Sequence, residues 1–192
     1  DAAHAERLGV ILDVVYNHFG PDGNYLRSFS PDYFSRQATE WGDAINFDGQ
    51  HSAAVRELVI ANASEWVREF HLDGLRLDAT QAIFDSSERH LLAELTTAVR
   101  LAAGGRRVLV IAENEPECAS QLLPVEEGGH GIDAMWNDDF HHSAVVAATG
   151  RREAYYHDYA GTAQELVSAS VRGFLFQGQY YPWQKKARGE PL

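Results

Sequence analysis

Asp78 and Glu113 are the residues whose types and placement could do chemistry together. Each stands at the polar end of a short apolar run, Gly74-Leu75-Arg76-Leu77-Asp78 and Val108-Leu109-Val110-Ile111-Ala112-Glu113-Asn114. Cleaving a glycosidic bond needs two carboxyl groups flanking it. One protonates the leaving oxygen, and in a retaining enzyme the other attacks the anomeric carbon from about 5 Å away. If the two runs are adjacent strands, about 4.8 Å apart, both tips can face one substrate. The two-residue strand period puts Arg76 on the same side as Asp78, where its guanidinium would orient that carboxylate. Glu113 would need a raised pKa to carry the proton. Taken singly, an Arg-Leu-Asp is an ordinary ion pair and a strand-end Glu an ordinary helix cap. Spacing alone leaves the reaction open.

The elements that must hold these groups are legible around them. Two further runs, Gly9–Val15 with Asp13 near its end and Ile132–Asp138, have the same strand-then-polar form. β-Branched residues dominate the runs Gly9–Val15 and Val108–Asn114, which lack strict alternation, as strands buried on both faces do. Between the strands, Ser52–Phe70 places Val55, Leu58, Val59, Asn62, Trp66 and Phe70 at helical spacing, with Ser52 as N-cap and Trp66 expected in the core. Ser86–Leu101 repeats the pattern up to Gly104-Gly105. Leu166–Phe174 is a further helical piece. This rhythm predicts a parallel α/β architecture. No Gly-rich phosphate loop follows any strand, which disfavours a dinucleotide-binding sheet. Carboxylates at strand C-terminal ends favour a (β/α)8 barrel, of which these runs would be about half. Residues 19–50 read as a long active-site loop carrying Phe19, Tyr25, Phe29, Tyr33, Phe34, Trp41 and Phe47, most expected to pack the rim and some to stack on sugars.

Composition narrows the partners. The 192 residues carry a formal charge of −12, which repels phosphate backbones, so nucleic acid is not expected. No apolar run approaches the roughly 20 residues that span a bilayer. Asp1–Leu8 is polar and helical in character, unlike a signal peptide. It reads as a helix already under way, so the chain is expected to start and stop inside a larger protein. The single cysteine, Cys118, fits a reducing compartment, and a cytoplasmic location is expected.

Three stretches now carry a resemblance. Asp13-Val14-Val15-Tyr16-Asn17-His18, Asp73-Gly74-Leu75-Arg76-Leu77-Asp78-Ala79 and Ile111-Ala112-Glu113-Asn114 resemble, in order, the first three motifs of the α-amylase superfamily, glycoside hydrolase family thirteen. The resemblance covers essentially the whole chain. It implies a single catalytic (β/α)8 TIM-barrel domain of which residues 1–192 supply strands three to six. It implies a retaining glycosidase with Asp78 as nucleophile and Glu113 as acid/base. Asp13 would buttress the site, His18 would hydrogen-bond the sugar being cleaved, and Arg76 would hold Asp78. Asn17 binds calcium in some members, but no further ligands are evident and no cofactor is expected. The superfamily's fourth motif, with its third carboxylate, lies outside this sequence, so the remainder of a parent chain would be needed to complete the barrel and these residues alone are expected to be inactive.

Within the superfamily, Asn17–Leu26, Trp41-Gly42 with Asn46-Phe47-Asp48, Ala112–Glu115, Trp136–His142 and Tyr155-Tyr156 resemble the trehalose-releasing members more than the branching enzymes. Such members cleave the α-1,4 bond beside the terminal trehalose of a maltooligosyltrehalose. Trp136, Asn137, Asp138, His141 and His142 then become candidates for recognising the leaving trehalose, Trp136 by stacking and the others by hydrogen bonds. Asp138, Asp139, His141 and His142 could also suit a metal. Adjacent residues point apart, however, so few of the four are expected to share an ion. A non-catalytic amylase-like binding domain would have lost Arg76, Asp78 and Glu113, and all three are present.

Overall fold

Three parallel strands, β1 (Ile11–Val14), β5 (Gly74–Leu77) and β6 (Leu109–Ala112), form the frame of the computed structural model, which describes residues 2–192. Their register is continuous: Asp13 pairs with Arg76, and Arg76 with Ile111. Asp78 and Glu113 lie two residues beyond Arg76 and Ile111, on the same face of the pleat. Gly74 sets the spacing at the other end of β5, because a Cβ there would come 2.4 Å from the Leu109 carbonyl oxygen. Ala134 of the two-residue strand β7 (Ala134–Met135) continues the order β1-β5-β6-β7. The expected strands are thus present but shorter than their apolar runs.

The chain forms two compact units. The first comprises the residues up to Glu113 together with Leu122–Ala134, and the second Asn114–Gln121 with Met135–Leu192. In the first, α3 (Ala53–Arg68) and α4 (Leu91–Ala102) pack on one another. The buried stripe of α3 is Val55, Val59, Ala63 and Val67, small residues that allow close approach. Trp66, expected in the core, is instead half-buried and packs on Phe70 at a ring separation of 4.8 Å. Asn62 accepts hydrogen bonds from Tyr16 Oη and Trp66 Nε1. Ser52 occupies the N-cap position without a side-chain capping bond. α4 starts at Leu91 rather than Ser86, because His90 caps it by accepting from the Leu92 N–H. The helix expected over Asp1–Leu8 is the short α1 (Ala2–Ala5), with Asp1 outside the described residues. Residues 19–50 are more ordered than a loop. They hold α2 (Leu26–Phe29), and β3 (Phe34–Thr39) and β4 (Gly42–Ile45) join β2 (His18–Phe19) in an antiparallel sheet ordered β2-β4-β3.

The second unit holds α5 (Asp138–Thr149), α6 (Ala163–Arg172) and a hairpin of β8 (Tyr180–Tyr181) and β9 (Lys186–Ala187). Thr162 and Glu165 form a capping box on α6, so the helix expected over Leu166–Phe174 begins and ends earlier. Val146, Tyr159 and Tyr181 make its apolar centre. Beside them lies a buried polar network. Asp139 Oδ1 accepts from Tyr159 Oη at 2.7 Å and Arg188 Nε at 3.1 Å, while Oδ2 takes the Leu175 and Phe176 N–H groups, each at 2.8 Å. Arg188 also pairs with Glu115, and Glu117 accepts the Asp139 N–H. No helix among the described residues is long and apolar enough to cross a membrane.

Candidate active site

The parallel register delivers a single guanidinium to three carboxylates. Arg76 Nη1 donates to Asp13 Oδ1 at 2.7 Å and to Asp78 Oδ1 at 2.8 Å, and Nη2 lies 2.6 Å from Glu113 Oε2. Asp13 reaches Arg76 as its direct cross-strand partner, and Asp78 reaches it by the two-residue period. Arg76 is itself buried. Burial works against its charge, but Asp13, Glu113 and Asp78 outweigh that and hold its pKa above the ordinary value. It is a fixed cation at the C-terminal edge of the sheet.

Each carboxylate is held differently. Asp13 is the most exposed of the three, and Asp78 and Glu113 are each about two-thirds enclosed. Asp78 also accepts the Asn17 side-chain amide, whose Nδ2 lies 3.0 Å from Oδ2 and 2.8 Å from the Asp78 carbonyl oxygen. Both Asp78 carboxylate oxygens are therefore fixed, one by Arg76 and one by Asn17. Asn17 is fully buried and in turn pairs with His18 Nδ1. Its positioning of Asp78 was not read from the sequence, because it depends on a contact between residues 61 positions apart. His18 faces Trp41 across 6.0 Å, which puts an aromatic ring beside the sugar-binding candidate.

The proton affinity of Glu113 is raised. Burial raises its pKa first and the neighbouring Asp78 adds to this, while the Ala79 N–H and Arg76 oppose. The rise prevails despite the close Arg76 contact. The Ala79 N–H reaches Glu113 Oε2 at 3.2 Å from a backbone at φ 39°, a left-handed conformation costly for a residue with a Cβ. Thr80 fixes the Glu113 carbonyl through both its N–H, at 2.8 Å, and its hydroxyl, at 3.0 Å. A carboxylate bound to a guanidinium and a second carboxyl of raised pKa on the same cation are the kind of pair that retaining glycoside cleavage uses.

The candidates of the second unit divide. Asn137 caps α5, its Oδ1 accepting from the Phe140 N–H at 2.9 Å and its Nδ2 donating to the Ala169 and Gly173 carbonyls. Its amide is occupied within the fold rather than free for a ligand. Asp139 belongs to the buried network. Trp136 is half exposed, His141 exposed and Asp138 half-buried. His142 is buried among Tyr155, Tyr156 and Tyr159 at ring separations of 5.0 to 5.2 Å. Burial, then the charges of Arg188 and His141, push its pKa down to about 4. Three of the four residues weighed for a metal are brought closer together than their adjacency in sequence suggested. Asp138, His141 and His142 lie at i, i+3 and i+4 on a helix, and one donor atom from each falls within 4.8 Å of the others.

The parallel frame and the Arg76-centred pair have the form of an α-amylase-type glycoside hydrolase core. No family model matches the chain. Over its full length, however, it is homologous to malto-oligosyltrehalose trehalohydrolases, at 42% identity to the protein of that name from Mycobacterium tuberculosis. The chain spans about a third of that relative's length, 33%. A solved Salmonella typhimurium structure, described provisionally as an alpha amylase, superposes with a TM-score of 0.88 at 40% identity, over 99% of this chain and 32% of that one. A 1,4-alpha-glucan branching enzyme from Myxococcus xanthus is more distant, 30% identical over 97% of this chain and 31% of its own length. The parallel α/β fold is that of part of a TIM barrel, as the motifs implied.

Proposed function

We propose that this chain supplies the nucleophile and the acid/base of a single barrel domain that hydrolyses maltooligosyltrehalose at the α-1,4 bond beside its terminal trehalose. The observation that carries the chemistry is the Arg76 guanidinium bound to Asp13, Asp78 and Glu113 together. Glu113 protonates the glycosidic oxygen as the C–O bond breaks. Asp78 attacks the anomeric carbon and forms a covalent glycosyl-enzyme. Glu113, now ionised, takes a proton from the water that displaces Asp78, so the configuration is retained. Arg76 and Asn17 keep the Asp78 oxygens aimed, Asp13 anchors Arg76 through the same Nη1 that holds Asp78, and His18 hydrogen-bonds the reacting sugar. The substrate is neutral, so the net charge of −12 imposes no repulsion. A lone cysteine and an acidic surface agree with action in the cytoplasm.

Similarity to trehalohydrolases at 42% against 30% for the branching enzyme supports trehalose release over branch formation. The motif resemblance supplies Trp136, by stacking, and Asp138, His141 and His142, by hydrogen bonding, as candidates for trehalose recognition. Incubating the full-length protein with maltopentaosyltrehalose and with amylose decides between the readings. Free trehalose is the expected product; new α-1,6 branches would replace this reading with the branching one.

A further inference from the structure

The first turns of α5 hold a group that takes no part in the bond-making and bond-breaking steps proposed above. Asp138, His141 and His142 bring a carboxylate oxygen and two imidazole nitrogens within 4.8 Å of one another. Two facts suggest that this is more than a polar helix face. His142 is 5% exposed, and its Nδ1 is enclosed with no hydrogen-bond partner among the described residues. An enclosed polar atom without a partner costs on the order of 1–3 kcal/mol, so a fold that keeps one is disposed to bind something there. Asp138 is half-buried, and no hydrogen bond or ion pair from a described residue is recorded at its carboxylate. The three groups also form no direct bond to each other.

We propose that Asp138, His141 and His142 form a binding site for a divalent transition-metal ion, of which zinc is the best fit. Two imidazoles and one carboxylate are a ligand set that zinc, and less specifically cobalt, nickel or iron(II), accepts. Magnesium and calcium prefer oxygen ligands throughout. Zinc bonds of about 2.0–2.2 Å would draw the donors together by roughly 1 Å. The exposed His141 ring and the Asp138 carboxylate can supply that movement from one helix, while the buried His142 stays put. Three protein ligands leave a coordination position open to water or to a hydroxyl-bearing ligand.

The test is calorimetric titration of the full-length, chelator-treated protein with zinc chloride alone, repeated with cobalt chloride. Saturable binding of one equivalent is expected. His141→Ala and Asp138→Asn should weaken it by about 100-fold or more, since even outer-shell losses at metal sites cost about 10–100-fold. His157→Ala, an exposed histidine outside the cluster, should leave it unchanged. His141 is exposed, so its replacement tests the site without risking the fold as His142→Ala would. No saturable binding, or binding that survives both His141→Ala and Asp138→Asn, overturns the proposal. A loss of kcat/KM on maltooligosyltrehalose in those two variants, with zinc binding unaltered, likewise overturns it and assigns the cluster to direct hydroxyl recognition.

Discussion

At the scale of single residues, the site is a division of labour imposed on similar groups by their surroundings. Asp78 accepts from a guanidinium and an amide. Glu113 shares the guanidinium but has its pKa raised by burial and by Asp78. Replacing Asp78 by Asn removes the covalent step and leaves the pocket, so kcat should fall on the order of 10⁴-fold or more with KM little changed. Steady-state kinetics of the full-length variant check this, and wild-type turnover would remove Asp78 from the role. Glu113 must be protonated to donate, so activity should decline as pH rises through its raised pKa. Glu113→Gln should abolish that alkaline limb along with most activity, and a rate–pH profile with the limb intact would assign it to another group. Asn17→Ala removes a hydrogen bond to a charged group worth about 1.5–3 kcal/mol, which predicts a kcat lowered by roughly 10–100-fold. A loss confined to KM would show that Asn17 binds sugar rather than aiming the nucleophile. Arg76 beside Asp78 was legible because a strand's period of two fixes which side chains share a face, whereas Asp13 and the roles expected of Asp78 and Glu113 came from the motif resemblance. Asn17 was not legible in this role, because its hydrogen bond spans two elements that no local pattern relates.

At the scale of elements, the order of strands and helices could be read, but their limits could not. The apolar run Ile132–Asp138 contains only the two-residue strand β7, because Asn137 turns the chain into α5 by capping it. The apolar face of α3 was read through Val55, Leu58, Val59, Asn62, Trp66 and Phe70, and of these Val55 and Val59 lie in the buried stripe, which Ala63 and Val67 complete. Both stripes fit helical spacing, and only the close approach of packed neighbours selects the one with small side chains. The network of Glu115, Glu117, Asp139 and Arg188 was invisible because its members lie far apart in sequence. It has a pH signature. Burial, and then Asp139, push the pKa of Glu117 up to about 9. A raised folded-state pKa contributes stability that is complete below the unfolded carboxyl value, about 4.3, and is lost as pH rises through the folded value. Stability should therefore fall between about pH 5 and pH 9, by at most about 1.4 kcal/mol per pH unit from this group. Glu117→Gln keeps the acceptor for the Asp139 N–H and removes the titration, so its stability should be flatter over that range. Urea unfolding of both proteins at several pH values measures the difference, and parallel curves would show that Glu117 is ionised in the fold.

At the scale of the whole molecule, the feature that matters is the contrast between β5 and β1. Every residue of β5 is buried, as a strand inside a parallel sheet should be. β1 is different: Ile11 is 44% exposed, and Val15 just beyond it is 50% exposed. Among the described residues β5 is the one strand paired with β1, so the other side of β1 presents backbone groups that no described strand pairs, beside apolar side chains. Such an edge is a template for another strand. Apolar area is also exposed on the helices, at Leu58 and Phe70 near α3 and at Leu101 on α4. In a closed barrel, neighbouring strands and helices would cover these surfaces. The 192 residues expressed alone should therefore self-associate at micromolar concentration, even though a charge of −12 opposes contact between copies. Raising the salt concentration screens that charge and should increase association, whereas a purely ionic contact would weaken. Ile11→Lys places a charge on the open edge and should shift the material toward monomer. Light scattering coupled to size-exclusion chromatography reads each of these states. A monodisperse monomer in wild-type sequence at both low and high salt would show that β1 needs no neighbour, and the partial-barrel account of its exposed residues would fail.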